Sequence, residues 1–162
     1  MQTRQTTHLS VPPSVLSWAN IGGKYEKDGP LAPYFDRLDP DSFFGETTYE
    51  KAESAMQRYA LSKALEKAHL DSEQLDCIFG GACSTMGESL SLAALLVSAG
   101  YLSRAAAVTS SHFCSAERQY RMPMPYGSQR CPTAQWTATA AGCTILAAVG
   151  NGPYITHVTR GR

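Results

Sequence analysis

The sequence predicts an α/β domain with a mixed sheet, and three observations carry that prediction. Apolar runs of strand length, 75–79 (LDCIF) and 105–109 (AAAVT), alternate with longer segments of helical period. One of those segments, starting near Cys83, is apolar almost all round: between Met86 and Leu102 its only charge is Glu88. Such a helix is buried, because no face of it suits water, and its uncharged part is too short to cross a bilayer at ~1.5 Å per residue. Finally, 136–149 (WTATAAGCTILAAV) and the alternating 154–159 (YITHVT) flank a Gly-Asn-Gly-Pro turn, which predicts a closing antiparallel hairpin.

Taken in order, residues 1–13 are polar and end in Pro12-Pro13, the composition of a mobile arm. Residues 14–21 (SVLSWANI) form a first strand, stopped by Gly22-Gly23, so 1–20 reads as arm plus first strand and 21–162 as the main domain. The stretch 22–46 mixes Gly, Pro and Asp with Tyr34, Phe35, Phe43 and Phe44, which marks a long but ordered loop. Thr47-Thr48-Tyr49-Glu50 fits a capping box. The helix that follows to about His69 puts Ala52, Ala55, Met56, Tyr59, Ala64, Leu65 and Ala68 on its apolar stripe, with Lys51, Glu53, Lys63, Glu66 and Lys67 facing water. A strand over 75–79 ends in Gly80-Gly81, and Ser84 and Thr85 are N-cap types for the apolar helix. Gly100-Tyr101 ends that helix. The strand 105–109 terminates in Ser110-Ser111-His112, and 136–149 turns continuously apolar late, as a central strand does.

Composition bounds the function. Fourteen basic and 14 acidic residues balance, so no overall field draws the chain to nucleic acid. Only 17% of residues are charged, low for a small protein exposing all its surface, which points to a face covered by a partner or by a missing part. Five cysteines, an odd number with no CxxC spacing, argue against a disulfide framework and a structural metal site. The N-terminal segment lacks the apolar core of a signal peptide and no later run is a transmembrane span, so a reducing, cytoplasmic setting is expected.

Chemistry concentrates in two places. Cys83 sits at the start of the apolar helix, where the helix dipole favours a thiolate, and Cys83, Ser84 and Thr85 together make an anion site of N–H groups and hydroxyls. Ser111 and His112 stand at the C-terminal end of a strand, the edge at which open α/β sheets bind ligands, with Arg118 and Arg121 shortly after. Each has a plain structural alternative: Cys83 as a small buried hydrophobe, the arginines as solvated residues or partners of Glu117.

Four stretches, EKDGPLAPYFD (26–36), GACST (81–85), TSSH (109–112) and AERQYRMPMPYG (116–127), together resemble the stage V sporulation protein AD family. The resemblance covers nearly the whole chain after about residue 20 and implies a thiolase-like fold. The chain corresponds to an incomplete N-terminal thiolase-like half, the second half having no counterpart here. It also departs from the family at Gly80-Gly81, where a further loop, helix and edge strand are missing before the cysteine motif. By resemblance Cys83 occupies the thiolase nucleophile position, but the groups that would activate it belong to the second half. The function implied is binding of dipicolinic acid for uptake into the developing spore, as a component of a membrane channel assembly peripheral to the spore inner membrane. Cys83, Ser84, Thr85, Ser111, His112, Arg118 and Arg121 are the ligand-binding candidates. No cofactor is expected, and calcium enters only as the counter-ion of dipicolinate. Partners would be the other channel proteins and, as is common among thiolase-like proteins, a second copy. Two alternatives stand beside this: a thiolase or ketoacyl synthase type acyltransferase using Cys83, and a ligand-free scaffold of the channel complex.

Overall fold

The computed structural model describes residues 5–82, 85–114 and 138–159. Its centre is a five-stranded sheet in the order β3-β2-β6-β5-β4, built from β2 (Ser14–Gly22), β3 (Arg37–Leu38), β4 (Cys77–Ala82), β5 (Arg104–Ser111) and β6 (Ala140–Ala147). Strand β2 runs parallel to β3, β4 runs parallel to β5, and β6 lies antiparallel between β2 and β5. The C-terminal ends of β2, β3, β4 and β5 therefore meet the N-terminal end of β6 along one edge. A two-stranded antiparallel sheet joins β1 (Thr6–His8) to β7 (His157–Thr159).

Among the described residues two α-helices cover opposite faces of the sheet. Helix α1 (Tyr49–Ala68) begins at Thr48, whose hydroxyl accepts from the Lys51 N–H, and ends at His69 in the left-handed conformation (φ 53°). Its buried Met56, Ala60, Ala64 and Leu65 pack on Ala19, Ile21, Ala106, Val108, Ala141, Cys143 and Ile145. Helix α2 (Met86–Ser98) buries Ala93, Ala94 and Val97 against Ala105 and Leu146, joined by Leu9 and Val158 from the outer strands. Alternation along β5 thus splits its side chains: Ala106, Val108 and Ser110 face α1, whereas Ala105, Ala107, Thr109 and Ser111 face α2. Burying side chains such as Met56, Ile145 and Leu146 contributes about 1.5–3 kcal/mol each. The alanines opposite let the helices approach the sheet closely.

Several sequence-based expectations are corrected. Residues 6–8 are a strand rather than part of a mobile arm, tied down by β7. That pairing also replaces the expected closing hairpin: the 157–159 strand lies on β1, because Gly150 to Pro153 carries the chain away from β6. A Cβ at Gly152 would collide with the Val15 carbonyl, so only glycine permits this close passage. The strand expected to stop at Gly80-Gly81 continues through both glycines to Ala82. The capping box reduces to one half, with Lys51 rather than an acid at the third helical position. Thr85 occupies the N-cap position of α2 without capping it. Finally, α2 is buried on one face and not all round, for Leu92 is 47% exposed.

Among the described residues strand β4 is the end of the sheet, and α1 packs mainly on β2, β6 and β5. Ile78 is consequently exposed on the α1 side, and Trp18 on β2 is exposed on the α2 side.

Candidate functional site

The edge where the parallel strands end is also where β4 passes into α2 and where Thr139 leads into β6. The hydroxyls there divide into two groups, one on each face of the sheet.

On the α1 face every polar group near the end of β5 is engaged. Ser110 donates to Glu53 Oε1 (2.8 Å) and accepts from Gln57 Nε2 (2.5 Å). His112 is 1% exposed. Its Nε2 lies 2.8 Å from the Ser42 carbonyl, which can only accept, so that nitrogen carries the hydrogen. Its Nδ1 accepts from the Cys114 N–H at 3.1 Å, which defines a neutral imidazole with both nitrogens used. The ring stacks at a tilt on Tyr49 (4.9 Å between centroids) and meets Phe44 edge-on. Tyr49 in turn stacks on Phe43 at 4.5 Å. The aromatics of the 22–46 loop are therefore ordered partly around this histidine.

On the α2 face Thr85 meets Thr109, and Ser111 lies further along the same strand. Thr85 Oγ1 and Thr109 Oγ1 are 3.1 Å apart, and Thr109 also donates to the Gly81 carbonyl (3.2 Å). The contact depends on Gly81, since a Cβ there would come within 2.7 Å of Thr85 Oγ1. Ser111 is two residues beyond Thr109 on the same face, opposite Ala140 of β6. Its Oγ is buried and has no hydrogen-bond partner. Each buried hydroxyl left unmatched costs about 1–3 kcal/mol, so an orphan at the ligand edge of an α/β sheet marks a position with unused bonding capacity.

Of the residues singled out from the sequence, then, Thr85 and Ser111 share one face and His112 lies on the other. Cys83, Ser84, Arg118 and Arg121 lie outside the described residues. Glu53 and Gln57, both part of the Ser110 network, were not anticipated. Glu53 had been assigned to the solvent face, yet it turns to the sheet end because a serine hydroxyl awaits it there. Their spacing of one helical turn on α1 was the available signal. Cys143 is on the α1 face of β6, and burial pushes its thiol up to about 12, which keeps it inert as a nucleophile. Among the described residues no three His, Cys, Asp or Glu side chains converge as a metal site, and no helix is long and apolar enough to cross a membrane.

Comparison with known proteins adds the family context. The family model described as Stage V sporulation protein AD matches residues 3–82 and 77–162. The two matched segments overlap at 77–82, the residues of β4. The Stage V sporulation protein AD of Bacillus subtilis (strain 168) is 32% identical over 185 positions, covering 98% of this chain and 54% of the relative. The alignment is longer than the 162-residue chain, so the relative carries residues within the matched span that this chain lacks. Among solved structures, 3-oxoacyl-[acyl-carrier-protein] synthase III from Aquifex aeolicus VF5 superposes with a TM-score of 0.55 at 12% identity, over 83% of this chain and 53% of that one. Xanthomonas campestris OleA E117Q gives 0.54 at 13% identity, over 87% and 59%. At such identities the likeness establishes the thiolase-like fold. In each case the chain spans little more than half of its counterpart's length.

Proposed function

Because the chain belongs to the stage V sporulation protein AD family, we propose that it serves sporulation by binding dipicolinic acid for uptake into the developing spore. In this reading it works at the periphery of the spore inner membrane, with the other proteins of a channel assembly and with a second copy of itself. The observation that carries the binding role is the buried, unpartnered hydroxyl of Ser111, on the strand face where Thr109 meets Thr85 at the start of α2. Dipicolinate is a flat ring with two carboxylates, and it needs hydrogen-bond donors at its ends and an apolar wall for its ring. Ser111 offers an unspent hydroxyl donor, Thr85 offers a second if it exchanges its Thr109 contact for the ligand, and the N-terminus of α2 offers a positive dipole end. Cys83 and Ser84 would extend that anion site, while Arg118 and Arg121 would supply cationic partners for the carboxylates. The α1 face suits the dianion poorly, because Glu53 stands there and the Ser110 and His112 atoms already have partners. His112 would then position the end of β5 from behind instead of touching the ligand.

Isothermal titration of the folded chain with dipicolinate tests this directly. Binding should weaken about 3–10-fold in Ser111→Ala and in Thr85→Ala, the loss of one hydrogen bond each. Absence of heat at millimolar dipicolinate with well-folded protein would remove the binding role and leave a scaffold of the channel complex.

A further inference from the structure

The small sheet formed by β1 and β7 brings two histidines into register on its outer face. His8 and His157 are direct cross-strand partners, and both are exposed. Leu9 N–H donates to the Thr156 carbonyl at 2.9 Å, so the neighbouring Leu9/Thr156 pair is hydrogen-bonded. By the alternation of an antiparallel ladder, His8/His157 is then a pair without backbone hydrogen bonds. In such pairs the Cα atoms are only about 4.5 Å apart and side chains approach most closely. Their rings do so, with centroids 4.8 Å apart at 73°. Thr6 and Thr159 continue the same face, joined hydroxyl to hydroxyl at 2.9 Å.

The ladder beneath is anchored. Val158 and Leu9 turn inward to the cluster around α2, 6% and 3% exposed. The His157 ring is oriented as well: its Nδ1 lies 3.0 Å from Thr156 Oγ1. With Nδ1–H donating to that hydroxyl, the lone pair is on Nε2, the arrangement in which metal-binding histidines are held by an outer oxygen.

We propose that His8 and His157 form a two-imidazole site for a divalent transition ion of the nickel, copper or zinc class. Two imidazoles supply two ligands, and water fills the remaining positions, so the site is open and of modest affinity. Its consequence is mechanical. Strand β1 is three residues long and pairs with β7 along one side, so it belongs to the part of the fold that opens first. An ion bridging the two strands binds the paired state and not the open one, and so clamps the N-terminal strand onto β7.

Nickel is the probe of choice for the test. Calorimetric titration of the full chain with Ni²⁺ should give one site per chain. Affinity should fall at least about tenfold in His8→Ala and in His157→Ala, and should be unchanged in His69→Ala, a histidine at the far end of α1. Both histidines are exposed, so these variants remain folded. At Ni²⁺ about 100-fold above Kd the melting temperature of the parent chain should rise by roughly 5–10 °C, and the rise should vanish in either variant. No binding by the parent chain, or binding that survives both substitutions, overturns the proposal.

Discussion

At the scale of single residues, His112 shows how closely the fold engages a polar side chain at a strand end. A histidine at a strand end beside two serines invites a ligand role. Its Nε2–H is spent on Ser42 and its Nδ1 on the Cys114 N–H, and its ring fills the space between Tyr49 and Phe44. Replacing it by alanine removes both hydrogen bonds and leaves a cavity among aromatic rings. His112→Ala should therefore cost about 2–4 kcal/mol of unfolding free energy, measured by urea denaturation. A side chain that served only a ligand would show a much smaller loss. This outcome was not legible in the sequence. Cys114 is a near neighbour in the chain, but Ser42, Phe44 and Tyr49 belong to a distant segment that meets His112 only after folding. Ser111 was legible as a strand-end hydroxyl, but its lack of a partner was not.

At the scale of elements, the junction between β4 and α2 carries the chain's departure from its family. The two family-model segments overlap at 77–82, which covers β4. That strand pairs with β5 and leads at once toward α2, so the helix start is set by β4 itself. The geometry leaves little slack: Gly81 faces Thr85, and Thr109 links to both. Gly81→Ala should destabilise the chain by about 1–3 kcal/mol through this overlap, and Thr85→Ala in the same chain should recover part of it. Equal losses with and without the Thr85 substitution, in a denaturant titration, would show that the glycine serves the strand backbone instead. The sequence located this departure at Gly80-Gly81, because a glycine pair directly before the cysteine motif breaks the family pattern. It did not reveal that the strand runs on through both glycines.

At the scale of the whole molecule, carboxylates hold distant parts together. Asp36 accepts from the Asn20 N–H of β2 and from Lys67 of α1. Burial pushes its pKa up, but the Lys67 and Asn20 hydrogen bonds and the lysine charges outweigh this, and the net direction is down. Asp76 is lowered by the N–H groups of Arg104 and Ser103 at the start of β5, and Asp41 by those of Phe43 and Gly45. A depressed aspartate stabilises the fold fully above its unfolded value near 3.8 and loses that contribution as pH falls through its lower folded value. Stability should thus be flat from neutrality down to about pH 5 as far as these groups are concerned, then fall toward pH 3. Chemical denaturation across that range checks it. Asp36→Asn should flatten the acid limb. The same scale shows the exposed faces: Trp18, Ile78 and Leu92 lie where neither helix nor strand covers them. The low charge content had pointed to a covered face without saying which.

By itself the sequence determined what depends on local pattern and on motif. Apolar period set the two helices, runs of strand length set the sheet strands, and four motif stretches identified the family. Tertiary structure decided what depends on which distant segments meet. It took the 157–159 strand to β1 and put His112 and Ser111 on opposite faces of one sheet. It also turned Glu53 inward to a serine and set His8 against His157. The physical reason is that periodicity encodes which side of an element is apolar, whereas register and sheet order are fixed by closure between segments far apart in the chain.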